Sequence, residues 1–182
     1  MGRKFGWHSG VLNAKGAKID NQVVPSRIWI PANQLSLQTS GTAATAGQVD
    51  DLYCLLFDAS TTEDCNYGLV MPKWTNKDLK VKAYVYWSSA GTDNTKAVVW
   101  DIDYGSFAEG DDIDMSSPTN VTTTSTDSST ANALVTTSAL EMTGIKAGDL
   151  LVMHIYRDAD ETADNVTVDA ALRGILLEIK EV

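Results

Sequence analysis

Tyr156-Arg-Asp-Ala-Asp160, followed by Asp169-Ala-Ala-Leu-Arg-Gly-Ile-Leu-Leu-Glu-Ile179, is the stretch whose reading decides the fold. Two apolar segments, 149–158 and 166–180, flank a run of carboxylates, Asp158-Ala-Asp-Glu-Thr-Ala-Asp164, whose charges are easily solvated at the tip of a turn. The pattern predicts two long, adjacent, antiparallel strands joined by an acidic turn. Along the second, the apolar parity changes from Val166, Val168, Ala170 and Leu172 to Ile175, Leu177 and Ile179. A one-residue slip at Arg173-Gly174 keeps one face inward throughout. A β-bulge supplies such a slip, and glycine is the residue type expected there.

Working outward, other strands show the same period of two. Leu79, Val81, Ala83, Val85 and Trp87 share one face while Lys80, Lys82, Tyr84 and Tyr86 share the other, as in a half-buried strand. Val98, Trp100, Ile102 and Tyr104 alternate with Asp101 and Asp103, and Ser88 to Thr95 reads as a turn. Eight strands result: 49–58, 66–71, 79–88, 95–104, 119–125, 132–143, 149–158 and 166–180. The start of the sixth is blurred by Ser116–Ala131, where eleven of sixteen residues are Ser or Thr. This spacing suits a jelly roll or another β-sandwich.

Two segments, Leu52–Phe57 and Leu150–Tyr156, place apolar groups on both parities. Only one face of a sandwich sheet fills the core, so the other needs a cover. The N-terminal segment, a loop or another subunit would serve. Tyr53, Leu55 and Phe57 are assigned to such a subunit contact.

A chain of 182 residues with 43% apolar content suffices for one core, and roughly 70% of its unfolded surface should be buried at this size. No stretch approaches the roughly 18 apolar residues of a membrane span, and the basic N-terminus lacks the apolar segment of a signal peptide. The expectation is a soluble, unexported protein. Cys54 and Cys65 are too few for a disulfide framework or a zinc site. A bridge between them would need a close approach, and buried reduced thiols are the favoured reading.

The net charge of −10 is unevenly distributed. Residues 1–27 carry Arg3, Lys4, Lys15, Lys18 and Arg27 against Asp20 alone, a balance of +4, and the rest carry nine basic and 23 acidic side chains, a balance of −14. Residues 1–27 therefore read as an extended basic arm on an acidic domain spanning 28–182. The domain is not expected to bind nucleic acid, which calls for clustered Lys and Arg. Four glycines in the first sixteen residues deprive the arm of a core, so Phe5 and Trp7 gain most by inserting into a neighbour's pocket. Arg3, Lys4, Phe5, Trp7, Lys15 and Lys18 are the partner-binding candidates.

Little in the chain points to chemistry. Six carboxylates fall within residues 101–114, and Asp101, Asp103, Asp111 and Asp112 are the calcium candidates, with Asp158–Asp164 a lesser one. Their spacing fails the EF-hand pattern, so a solvated acidic loop is favoured and no metal is expected. His8 lies in the arm, and His154 sits on an apolar strand, where a satisfied core histidine is the favoured reading. There is no Gly-x-Ser-x-Gly elbow and no glycine-rich phosphate loop. No enzyme and no cofactor are expected.

Several segments, taken in order, resemble a jelly-roll family of tailed-phage virion structural proteins. Ile28-Trp-Ile-Pro-Ala-Asn33, Leu56-Phe-Asp-Ala-Ser-Thr61 and Val70-Met-Pro-Lys-Trp74 resemble its opening. Tyr84-Val-Tyr-Trp87, Ala97-Val-Val-Trp-Asp101 and Asp111-Asp-Ile-Asp114 resemble its middle, and residues 155–179 its end. The likeness covers roughly residues 28–180 and rests on order and spacing. It implies an eight-stranded antiparallel jelly-roll β-sandwich in a virion, often trimeric, on the capsid as a decoration or cement protein or on a tail or fibre. Residues 1–27 depart from the family. A basic arm on an acidic domain suits a clamp over the major capsid protein, so the expectation is a homotrimeric capsid decoration protein, made in the host cytoplasm. The alternatives are a tail or head-fibre module that binds a host receptor or glycan through Tyr84, Tyr86 or Trp74, and a carbohydrate-active enzyme using carboxylates of 101–114.

Overall fold

The computed structural model describes residues 6–8, 11–13, 26–37, 42–73 and 78–181. The strands are β1 (Gly6–His8), β2 (Val11–Asn13), β3 (Ser26–Pro31), β4 (Ser36–Leu37), β5 (Thr45–Val49), β6 (Leu52–Phe57), β7 (Glu63–Val70), β8 (Asp78–Ser89), β9 (Ala97–Phe107), β10 (Thr119–Thr126), β11 (Val135–Thr136), β12 (Leu140–Lys146), β13 (Leu150–Arg157) and β14 (Ala170–Glu181). A single 3-10 turn, Ala32–Gln34, follows β3, and the described residues contain no α-helix. Strands β1 and β2 pair only with each other.

The remaining strands form two antiparallel sheets, one of five strands ordered β10-β9-β13-β7-β4 and one of seven. At the centre of the larger sheet β8 pairs with β14. Strands β11 and β12 flank β8, while β6 and β3 share the far edge of β14, with β5 beyond β6. From β6 through β9 the chain changes sheet at every connection, and it does so again from β10 to β11, from β12 to β13 and from β13 to β14. This alternation makes the chain a jelly-roll β-sandwich. Between the sheets lie Trp87, Trp100, Phe57, Leu55, Ile102 and Met153, all fully buried. The Phe57 ring meets Trp100 edge-on at 5.1 Å between centroids.

The C-terminal pair differs from expectation. Strand β13 lies between β7 and β9 in the five-stranded sheet, and β14 lies in the other sheet, so the two are not hydrogen-bonded neighbours. Residues 158–169 form a crossover. A hairpin closes in about 2–5 residues, whereas packed sheets stand ~10 Å apart, and the longer acidic connection spans that gap.

The crossover is pinned from within by Arg157, which is fully buried at the inward end of β13. Its Nε and Nη2 donate to the two oxygens of Asp164 at 2.9 and 2.6 Å. The remaining bonds go to the carbonyls of Val166 at 2.6 Å, Val168 at 2.9 Å and Phe57 at 3.3 Å. Asp164 also accepts the amide of Val99 at 3.0 Å. A cation thus joins the crossover to both sheets.

The bulge in β14 forms as its parity predicts. Register against β8 shifts between Leu172 and Gly174, with Arg173 as the extra residue, and Ala170, Leu172, Ile175, Leu177 and Ile179 all enter the core. The double-sided burial expected of the other segments takes a different form. Strand β13 alternates, with Leu151, Met153, Ile155 and Arg157 buried and the intervening side chains half-buried. In β6, Leu55 and Phe57 belong to the chain's own core, so they cannot form the expected subunit contact, and of the three candidates only Tyr53 is exposed. The expected strand 49–58 is β6, preceded by a turn at Asp50-Asp51 with φ of 53° and 63° that joins it to an additional strand, β5. Segment 132–143 divides into β11 and β12, and β3 and β4 add to the expected eight.

Candidate functional site

On the outer face of the seven-stranded sheet, pairing sets four side-chain rows. Lys80 stands beside Lys180. Next come Glu141, Lys82, Glu178 and Arg27, from four strands in succession. Tyr84, Leu176 and Trp29 make the third row. In the fourth, Thr136 and Tyr86 face Pro31 across Gly174, which has no side chain to offer.

That gap shapes the site. A Cβ on Gly174 would lie 2.5 Å from the Ile30 carbonyl oxygen and 2.6 and 2.7 Å from atoms of the Trp29 ring. The bare glycine therefore lets the indole lean over β14, where it meets Tyr86 edge-on at 5.2 Å and 89°. This geometry suits an aromatic pair. Beside it opens a groove of about 480 Å³, closed at its far wall by Leu52, Tyr53 and Leu134. Pockets for small ligands run to roughly 300–1,000 Å³ and combine apolar walls with a few placed polar groups. Here the polar groups are Asn33, Asp50, Asn132 and Arg173.

Arg173, the bulged residue, is fixed in the groove wall. Its Nε and Nη2 donate to Ser88 Oγ at 3.2 and 3.0 Å, and its Nη1 to the carbonyls of Val49 at 3.1 Å and Leu52 at 3.4 Å. The Cys54 thiol lies close enough to feel this charge, although burial dominates and pushes its pKa up. Farther along the same face, Lys82 and Lys80 hold Glu141 at 2.8 and 2.9 Å. They lower its pKa to about 2. Glu178 accepts Arg27 at 2.6 Å and the Tyr84 hydroxyl at 3.3 Å. Burial first, then the Glu178 charge, raises the pKa of that phenol.

The opposite outer face, on the five-stranded sheet, is acidic. His154 pairs across strands with Asn66 and Asp103, and Tyr156 with Asp64 and Asp101. His154 is half-buried on this polar face and is not the core histidine expected. Burial raises the pKa of Asp101, over the opposing hydrogen bonds of Thr122 and Asn120. Asp101 and Asp103 lie on β9, while Asp111 and Asp112 sit in the exposed loop after it. The Asp111 carboxylate accepts the amide of Ala108 at 2.8 Å. The described residues contain no cluster of three or more His, Cys, Asp or Glu suited to a metal, so the calcium candidates do not form one site. Cys54 and Cys65 are buried free thiols in different sheets.

Of the arm's candidates, Arg3, Lys4, Phe5, Lys15 and Lys18 lie outside the described residues, and Trp7 falls in β1, where only the backbone is described. Trp74 also lies outside them. Tyr53, assigned to a subunit contact, and Tyr86, named as a ligand-binding aromatic in the fibre-module alternative, both line the groove. The sequence reading missed Trp29 and Arg173. Signals for both were present, an aromatic at an outward position of Ile28-Trp-Ile30 and a cation at the slip in parity.

No protein-family model matches the chain, and no curated protein matches it in sequence. Its fold does recur in solved structures. One is a carbohydrate-binding module, CBM35 from Cellvibrio japonicus Abf62, at 6% identity and TM-score 0.51, with 86% of this chain and 97% of that one covered. Another is an exo-beta-1,3-galactanase from Phanerochaete chrysosporium, at 11% identity and TM-score 0.50, covering 84% of this chain and 29% of the galactanase. At such identities the likeness is one of fold, and it supports the jelly-roll β-sandwich.

Proposed function

We propose that the chain is a non-enzymatic structural and binding module of a tailed-phage virion that takes a carbohydrate in the groove beside Trp29. One observation carries this reading. Among the described residues seven large apolar side chains are exposed, and four of them, Trp29 (47%), Leu52 (65%), Tyr53 (42%) and Leu134 (62%), line this one groove. Contiguous exposed apolar surface on a polar protein marks a contact site. A sugar ring has an apolar C–H face and a rim of hydroxyls. Trp29 and Tyr86 suit the face, while the amides of Asn33 and Asn132 and the Asp50 carboxylate offer donors and acceptors to the rim. The virion setting rests on the family resemblance of residues 28–180. Glycan-array binding by the whole chain, lost in Trp29→Ala, is the expected result. An array silent for the native chain rejects the carbohydrate reading.

The second reading, a homotrimeric capsid decoration protein clamping the major capsid protein, is supported by the charge contrast between the arm and the domain. It requires residues 1–20, and undiminished binding of the truncated chain to undecorated capsids rejects it.

A further inference from the structure

Three hollows lie along the outer face of the seven-stranded sheet. The groove of about 480 Å³ shares Tyr86 with a hollow of about 330 Å³ beside Tyr84 and Arg27. That hollow in turn shares Glu178 with a third, of about 170 Å³, bounded by Lys80, Lys82 and Lys180. Shared wall residues place the three hollows end to end, as a trough along β8 and β14. From Tyr86 to Lys80 it follows six residues of β8, about 20 Å at ~3.3 Å per residue. A single sugar would leave most of it empty.

Charge along the trough runs against that of the protein. At the Lys80 end, Arg27, Lys80, Lys82 and Lys180 face two carboxylates, Glu141 and Glu178, in a chain of net charge −10. At the groove end Arg173 is matched by Asp50, and among the described residues Arg173 bonds to no carboxylate. The other outer face carries Asp64, Asp101 and Asp103. A polyanion therefore finds one favourable face.

We infer that the ligand is a linear anionic polysaccharide, lying along β8 and β14 with a ring against Trp29 and Tyr86 and its carboxylate or sulfate groups over Lys80, Lys82 and Lys180. This rests on the carbohydrate reading above and specifies its ligand. Contacts with a polyanion release counterions, so affinity falls as salt rises.

The whole chain is titrated with polygalacturonate, alginate and hyaluronate, each beside its methyl ester, which keeps the backbone and removes the charge. Native protein should bind at least one free acid tenfold or more tighter than its ester. Lys80→Gln with Lys180→Gln should erase most of that difference, raising salt from 50 to 300 mM should do the same, and Trp29→Ala should weaken acid and ester alike. Binding of no acid, or equal binding of acid and ester, overturns the inference. If Trp29→Ala abolishes that equal binding, the carbohydrate reading survives alone. Acid binding that ignores Trp29→Ala, or is matched by single-stranded DNA, overturns the inference, because it reports charge without a sugar site, and the carbohydrate reading then rests on the glycan array alone.

Discussion

The guanidinium of Arg157 donates five hydrogen bonds, two to the Asp164 carboxylate and three to backbone carbonyls. Removing one member of a buried ion pair costs about 3–5 kcal/mol, because the other charge is left without compensation. Arg157→Leu should lower the unfolding free energy by about that amount in urea titrations, and a loss below about 1 kcal/mol would remove Arg157 as the crossover's anchor. Adding Asp164→Leu should recover only part, since the carbonyls of Phe57, Val166 and Val168 still lose their donors, at about 1–3 kcal/mol for each unsatisfied group. A milder case is Asp101, whose pKa is raised above 3.8 mainly by burial, with the charges of Asp158 and Asp103 pushing the same way. The folded state holds this proton more tightly than the unfolded one, so its contribution is intact below pH 3.8 and lost as pH rises through the folded value. Asp101→Asn should therefore melt a few degrees higher than the native chain at pH 7, and the gap should close near pH 4. A gap that widens on acidification would contradict the assigned direction.

At the scale of elements, the bulge in β14 does two jobs. It turns Ile175, Leu177 and Ile179 inward, and it presents bare backbone at Gly174 on which Trp29 rests. Gly174→Ala should cost about 1–3 kcal/mol, the range for forcing an extra methyl into a packed site, and should alter the near-UV circular dichroism as the indole moves. Adding Trp29→Ala relieves the ring clash but leaves the Ile30 carbonyl at 2.5 Å. Partial rescue is thus expected, and full rescue would mean that β3 itself does not have to move. This bulge was legible in the sequence because parity along a strand is a local property. Which sheet a strand joins is not local. The two apolar segments around Asp158–Asp164 read as a hairpin, and what separates them is Arg157, a charged residue whose place in the core depends on one carboxylate, two carbonyls of the crossover and the carbonyl of Phe57, a hundred residues away. The groove was harder still to read, since Trp29, Tyr53, Tyr86 and Leu134 come from four segments far apart in the sequence that the pairing of β3, β6, β8 and β11 around β14 brings together.

For the whole molecule, the question of self-association turns on where apolar surface is left over. Expecting a trimer through β6 assumed that Leu55 and Phe57 would need a foreign cover, but both are fully buried in the chain's own core. The second face of β13 is likewise half-buried within the chain, against β7 and β9 neighbours such as Asn66 and Asp103. Among the described residues, the exposed large apolar side chains that gather in one place are those of the groove, Leu52, Tyr53, Leu134 and Trp29. A trimer built on that patch would bury the proposed ligand site, so assembly and carbohydrate binding would compete. A trimer built through the arm would leave the groove open. The arm is the favoured route on charge, because its balance of +4 meets a domain at −14, and such attraction weakens once salt shortens the screening length to about 8 Å at 0.15 M. In sedimentation equilibrium, the full chain should associate more strongly in 50 mM than in 500 mM salt, and the chain lacking residues 1–20 should be monomeric in both. Tyr53→Asp should leave the association of the full chain unchanged. If it dissociates the trimer while the truncated chain still assembles, the groove is a subunit interface and the arm has no part in holding the copies together.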